Sequence, residues 1–133
     1  MDKAPIIWIV EDDPSTQRLV AEHLKANGLR PVLFDSAEKA YAALRAQQVP
    51  ALILLDMLLP GMSGVDLIRL IKQNKQWEKI PVVVVTVLSR KEMQETVAEE
   101  TSAYWINKPF DANNLVQTVQ NILTHMGKEV KPS

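Results

Sequence analysis

Short apolar runs alternate strictly with segments of helical periodicity along this chain, and no other feature restricts its architecture as much. The runs are Ile6 to Val10, Val32 to Phe34, Ala51 to Leu55, Pro81 to Val87 and Tyr104 to Ile106. Each is short, rich in β-branched or aromatic residues and bounded by acids, Pro or Gly, which predicts strands. Between them apolar residues recur at helical spacing: Leu19, Val20 and Leu24; Ala37, Ala40, Tyr41 and Leu44; Leu67, Ile68 and Ile71. The clearest stripe is the last, through Leu115, Val116, Val119, Ile122, Leu123 and Met126, whereas Arg90 to Glu100 has only Met93 and Val97 on its apolar face.

Local start and stop signals divide the chain in the same way. Asp13-Pro14 supplies an N-cap and a proline at the first helical position, Ser36 precedes "AEKAYAAL", and Ser63 with Asp66 forms a capping-box pattern. Asp111 is a further N-cap, flanked by Phe110 and Leu115 as a hydrophobic staple, and Gly28 closes the first helix. Strand-helix alternation implies an α/β fold, a doubly wound five-stranded parallel sheet with right-handed crossovers that put helices on both faces. "ALILL" and "VVVVTV" have lost the period-2 alternation of half-exposed strands, as strands buried on both sides do. With 133 residues and 47% apolar content, one domain is expected over residues 1–127, with 128–133 as a disordered tail or the start of a linker.

A formal net charge of −1 gives no pull toward nucleic acid or an anionic membrane. The absence of cysteine removes disulfides, thiolate metal sites and thiol nucleophiles. No apolar run reaches the ~18 residues of a membrane span, and the acids after "MDKAPIIWIV" are unlike a signal peptide, so a cytoplasmic location is expected.

In an open parallel sheet ligands bind beyond the carboxyl ends of the strands. Those ends carry Glu11, Asp12 and Asp13, then Asp56, Thr86, and Asn107 with Lys108. Taken singly, each has an ordinary role as a turn residue or helix cap. Gathered on one edge, the acids repel one another, so their pKa values rise or a cation sits among them. Mg²⁺ fits an oxygen donor set that leaves room for phosphate oxygens. Asp56 could then attack a phosphoryl group, with Mg²⁺ on Glu11 and Asp12, the Lys108 ammonium and the Thr86 hydroxyl compensating the charge.

The segments "IIWIVEDDP", "LILLDMLLPGMSG", "IPVVVVTV" and "NKPF" resemble the four signature segments of receiver domains of two-component response regulators, over residues 5 to about 126. The resemblance implies a flavodoxin-like (βα)5 fold with strand order 2-1-3-4-5. It implies Asp56 as phosphoacceptor, Glu11 and Asp12 as Mg²⁺ ligands together with the Leu58 backbone carbonyl, Thr86 as the switch hydroxyl, and Lys108 as the lysine that pairs with the acceptor. It also implies a cis peptide before Pro109. Three positions depart from the family pattern: Val87 where a smaller residue is usual, Trp105 where Tyr or Phe is the usual switch aromatic, and Thr101 near a common glycine. Leu58 and Leu88 flank the acceptor and offer nothing to position an attacking water, which predicts a long-lived phosphoryl group.

The function implied is a phosphorylation-dependent signalling switch. Its donor would be a sensor histidine kinase or phosphotransfer protein. The output would be a protein partner, or homodimerisation, at the surface of the fourth helix, fifth strand and fifth helix. No direct nucleic-acid or membrane contact is expected, and no turnover of a separate substrate. Two other classes are a degenerate receiver acting without phosphorylation and an aspartate-nucleophile phosphohydrolase. The second is opposed by Leu58, which stands where such enzymes carry a second acid. His23, His125, Trp8 and Trp77 are read as structural.

Overall fold

The computed structural model describes residues 4–89, 91–92 and 104–130. Thr101, and the helix predicted over Arg90 to Glu100 apart from Lys91 and Glu92, lie outside the described residues. The strands are β1 (Ile6–Val10), β2 (Arg30–Phe34), β3 (Leu52–Asp56), β4 (Val82–Thr86) and β5 (Tyr104–Asn107). The helices are α1 (Pro14–Ala26), α2 (Ala37–Arg45), α3 (Gly64–Gln73) and α4 (Ala112–Val130). All strand pairs are parallel, in the order β2-β1-β3-β4-β5, as expected.

The helix boundaries follow the capping chemistry. Asp13 accepts from the Thr16 amide at 2.8 Å, Ser36 from Lys39 at 3.2 Å, and Ser63 with Asp66 closes a reciprocal capping box. Asp111 accepts from Asn113 at 2.8 Å ahead of α4. Gly28, at φ +79°, ends α1 in a Schellman motif: its N–H donates to Lys25 O at 3.1 Å, and the Leu29 N–H donates to Leu24 O at 3.0 Å.

Several strand boundaries differ from the sequence reading by a residue or two. β2 begins at Arg30 and so contains Pro31, a residue read as a stop. As the edge strand, β2 needs hydrogen bonds on one side alone, and a proline there leaves no neighbour unpaired. β4 ends at Thr86, leaving Val87 outside the strand and exposed. α4 runs on to Val130.

Two apolar cores lie on either side of the sheet. Ile7, Ile9, Leu52, Leu54, Val83 and Val85 meet Val20 and Leu24 of α1 and Leu115 and Val119 of α4. The alternate residues, Trp8, Val10, Ile53, Leu55, Val82 and Val84, meet Ala40 and Leu44 of α2 and Leu67, Ile68 and Ile71 of α3. Successive strand side chains point to opposite faces, so a strand buried on both sides feeds both cores in turn. Trp8 packs on Phe34 with ring centroids 4.6 Å apart, and Trp77 meets Tyr41 edge-on at 5.9 Å, the packing roles read from the sequence. His23 Nδ1 lies 2.9 Å from Leu19 O, a contact within α1.

Candidate functional site

Asp56 is the last residue of β3, where a fully buried strand reaches the sheet edge, and it is only 7% exposed. Its carboxylate is held at both oxygens. The Leu58 N–H donates to Oδ1 at 3.0 Å, and the Lys108 ammonium lies 3.4 Å from Oδ2. The chain can turn so closely here because residue 64 is glycine. A Cβ on Gly64 would sit 2.7 Å from Asp56 O and 2.8 Å from Met57 Cα.

Glu11 follows β1 and is also buried. Its N–H donates to Phe34 O at 3.0 Å, and its carbonyl accepts from the Gln17 side-chain amide of α1. Its carboxylate accepts from the Asp13 N–H at 3.1 Å and from Lys108 Nζ at 2.7 Å. Asp12 next to it is exposed. Carboxylate oxygens of Glu11, Asp12 and Asp56 lie within 4.8 Å of one another and could hold a divalent ion. A cation among these acids is one of the two arrangements expected from the sequence, and the structure brings one, the Lys108 ammonium. Burial works against the charge on Lys108. The hydrogen bond that Lys108 donates to Glu11 and the charges of Asp56 and Glu11 outweigh that burial and leave its pKa raised.

Lys108 reaches the acids from the end of β5, which is fixed by its backbone. The Lys108 N–H donates to Thr86 O at 2.7 Å, and the Lys108-Pro109 peptide is cis, as expected. Thr86 is fully buried at the end of β4, and its hydroxyl oxygen accepts from the Leu88 N–H at 3.1 Å. Trp105, opposite Val84 in the β4–β5 register, is half-buried against the core that contains Trp8. Leu58 is 54% and Val87 60% exposed, an apolar rim beside the acceptor.

Glu11, Asp12, Asp56, Thr86 and Lys108 therefore lie at the carboxyl edge of the sheet, where Lys108 contacts Glu11 and Asp56 and Asp12 comes within 4.8 Å of both acids, whereas Trp105 sits inside β5 opposite Val84. Three supporting residues carry no assigned role in the sequence reading. Gln17 holds Glu11; Glu38 of α2 accepts from the Met62 N–H at 3.0 Å and so ties down the loop after Asp56. Asn107 donates its side-chain amide to Leu88 O at 2.5 Å. Only the polar ending of β5 hinted at the last; nothing in the spacing of Gln17 or Glu38 marks them.

The chain matches the family model described as the response regulator receiver domain over residues 7–120. The DNA-binding transcriptional regulator NtrC of Salmonella typhimurium is 29% identical over 127 residues, covering 96% of this chain and 26% of that protein. The phosphate regulon transcriptional regulatory protein PhoB of Klebsiella pneumoniae is 33% identical over 117 residues, 88% of this chain and 51% of that one. The chain thus spans about a quarter to a half of the length of these relatives. Among solved structures, the signal receiver domain of a signal transduction histidine kinase from Syntrophus aciditrophicus superposes with a TM-score of 0.84 at 29% identity, covering 98% of this chain and 96% of that one.

Proposed function

This chain belongs to the response regulator receiver domain family of two-component systems, and on that premise we propose that it is a signalling switch thrown by phosphorylation of Asp56. Receiver domains are signalling modules that take phosphoryl groups from histidine kinases. The observation that carries the proposal is the setting of Asp56: a buried carboxylate at a strand end, within 4.8 Å of two other acids and 3.4 Å from an ammonium.

A carboxylate oxygen of Asp56 forms a bond to phosphorus as the N–P bond of a phosphohistidine breaks, and the imidazole departs with the electron pair. The product is an acyl phosphate on Asp56. The Leu58 N–H and the Lys108 ammonium hold the carboxylate in place before attack, so little reorganisation is needed. Three clustered carboxylates are a hard oxygen donor set, so Glu11, Asp12, Asp56 and the Leu58 carbonyl would hold Mg²⁺, which when bound supplies positive charge to the phosphoryl oxygens. The Lys108 ammonium is shared between Glu11 and Asp56 and is free to follow the negative charge as it moves outward. The Thr86 hydroxyl, one residue beyond Val85, the partner of Asp56 on the neighbouring strand, donates to the new phosphoryl group, and the shift of Thr86 is relayed to Trp105. The readout surface includes β5 and α4, and its partner is a second protein or a second copy of the chain.

Incubation with Mg²⁺ and acetyl phosphate, followed by intact mass and Trp fluorescence, tests the reading. A single-phosphoryl adduct that disappears in Asp56→Asn supports it. Multiple turnover points instead to a phosphohydrolase, and no adduct at all to a receiver working without phosphorylation.

A further inference from the structure

Asn107 closes β5 one residue before Lys108, and its side-chain amide reaches across to the turn that follows β4. Its Nδ2 donates to Leu88 O at 2.5 Å and lies 3.5 Å from Thr86 O. Both partners are carbonyls, so the orientation of the amide is fixed by chemistry: an Oδ1 placed there would face two acceptors. Leu88 is held from its other side too, since its N–H donates to Thr86 Oγ1 at 3.1 Å. The turn Thr86-Val87-Leu88 is therefore strapped at both polar groups of Leu88, and one strap is the hydroxyl assigned to meet the phosphoryl group.

We propose that Asn107 is a positioning residue that holds this turn in its resting form and so biases Thr86 away from Asp56. The inference rests on the phosphoacceptor reading of Asp56. When the Thr86 side chain turns toward a phosphoryl group, the Leu88 N–H loses its acceptor and the turn has to shift. The bond from Asn107 to Leu88 O resists that shift and is made in the resting state alone. A contact made in one of two states moves their equilibrium by its own free energy, and whatever binds the other state weakens by the same factor. The backbone arrangement strengthens the coupling. Lys108 N–H donates to Thr86 O at 2.7 Å, so the last residue of β5 and the one after it grip the two ends of the same turn, and the second also carries the ammonium at the acids.

Asn107→Leu tests this, since it keeps the branched shape of the side chain, removes both donors and lies at an exposed position where Leu88 O can turn to water. In the ligand-free protein the Leu88 amide should exchange hydrogen about twofold to tenfold faster, the factor one such bond is worth. With Mg²⁺ present, beryllofluoride should bind about twofold to tenfold more tightly than to the wild-type chain. A residue with a merely structural role would, when replaced, weaken beryllofluoride binding or leave it unchanged. Unchanged Leu88 exchange overturns the strap. Faster exchange without tighter beryllofluoride binding overturns the bias. If wild-type protein takes up no beryllofluoride at Asp56, the phosphoacceptor reading falls and the bias falls with it, an outcome distinct from the other two because it appears before any substitution is made.

Discussion

The Lys108 ammonium makes its short contact, 2.7 Å, with Glu11, and lies further, 3.4 Å, from Asp56. The lysine thus offsets the charge of a proposed metal ligand at least as closely as that of the proposed nucleophile. It is the cation among the acids of the resting protein, and a divalent ion held by the same carboxylates would compete with it.

Lys108→Met should therefore destabilise the chain in chelator while tightening its hold on Mg²⁺. Removing one partner of a buried ion pair costs about 3–5 kcal/mol, and partial exposure of the lysine reduces this to about 1–3 kcal/mol here. Because the folded pKa of Lys108 is raised, its contribution is complete below the unfolded lysine value and is lost as pH climbs through the folded one. Urea unfolding of both proteins from neutral to strongly alkaline pH should show their stability gap narrowing at the alkaline end. A gap that widens there contradicts the assignment.

Gly64→Ala should strain the turn that presents Asp56. The added Cβ would lie 2.7 Å from Asp56 O, a backbone atom within a paired strand, so α3 has to move instead. Overpacking of this kind costs about 1–3 kcal/mol. Thermal unfolding should register the loss, and phosphoryl uptake from acetyl phosphate should slow because the carboxylate is displaced; a variant as stable and as fast as wild type rules the close approach out.

Glu38 acts at a distance through the loop after β3. Its pKa is lowered because its carboxylate accepts from the Met62 N–H, so its contribution is present above the ordinary carboxylate value and disappears as pH falls through the folded one. Glu38→Ala should speed hydrogen exchange at Met62 several-fold at neutral pH. Wild type should approach the variant under acid conditions. Equal exchange at neutral pH would show that the contact does not hold the loop.

An aspartyl phosphate on this chain should persist, because Leu58 and Leu88 provide no group to orient water against it. Leu58→Asn should shorten its lifetime about tenfold, less than a dedicated acid-base group contributes. Radiolabel retention in Mg²⁺ at neutral pH measures both, and loss from the wild type within seconds would sink the idea.

The alternation of strand and helix patterns was sufficient to read the layered sheet, since every β1, β3 and β4 side chain after the half-buried Ile6 is buried whichever face it meets. The site was legible for the same reason: polar residues at strand ends converge once the strands are parallel. What escaped the sequence depends on contacts between distant segments. Glu38 meets Met62 across 24 positions and Asn107 meets Leu88 across 19, and neither residue type nor local period records such a pairing. Pro31 misled at the start of β2 because its cost depends on whether a neighbouring strand is present on that side.

The two rows of side chains that feed the two cores continue to the strand ends. Asp56 extends the row of Leu52 and Leu54, facing α1 and α4, while Thr86 extends that of Val82 and Val84, facing α2 and α3. The sheet is accordingly a partition wall, with the acids and their lysine in one room and the hydroxyl and Trp105 in the other. A hydrogen bond from Thr86 to a phosphoryl group on Asp56 has to be made over the top of that wall, at the strand ends. Substitutions in the α1/α4 core should then disturb the acceptor side of that wall, and substitutions in the α2/α3 core the side of Thr86 and Trp105.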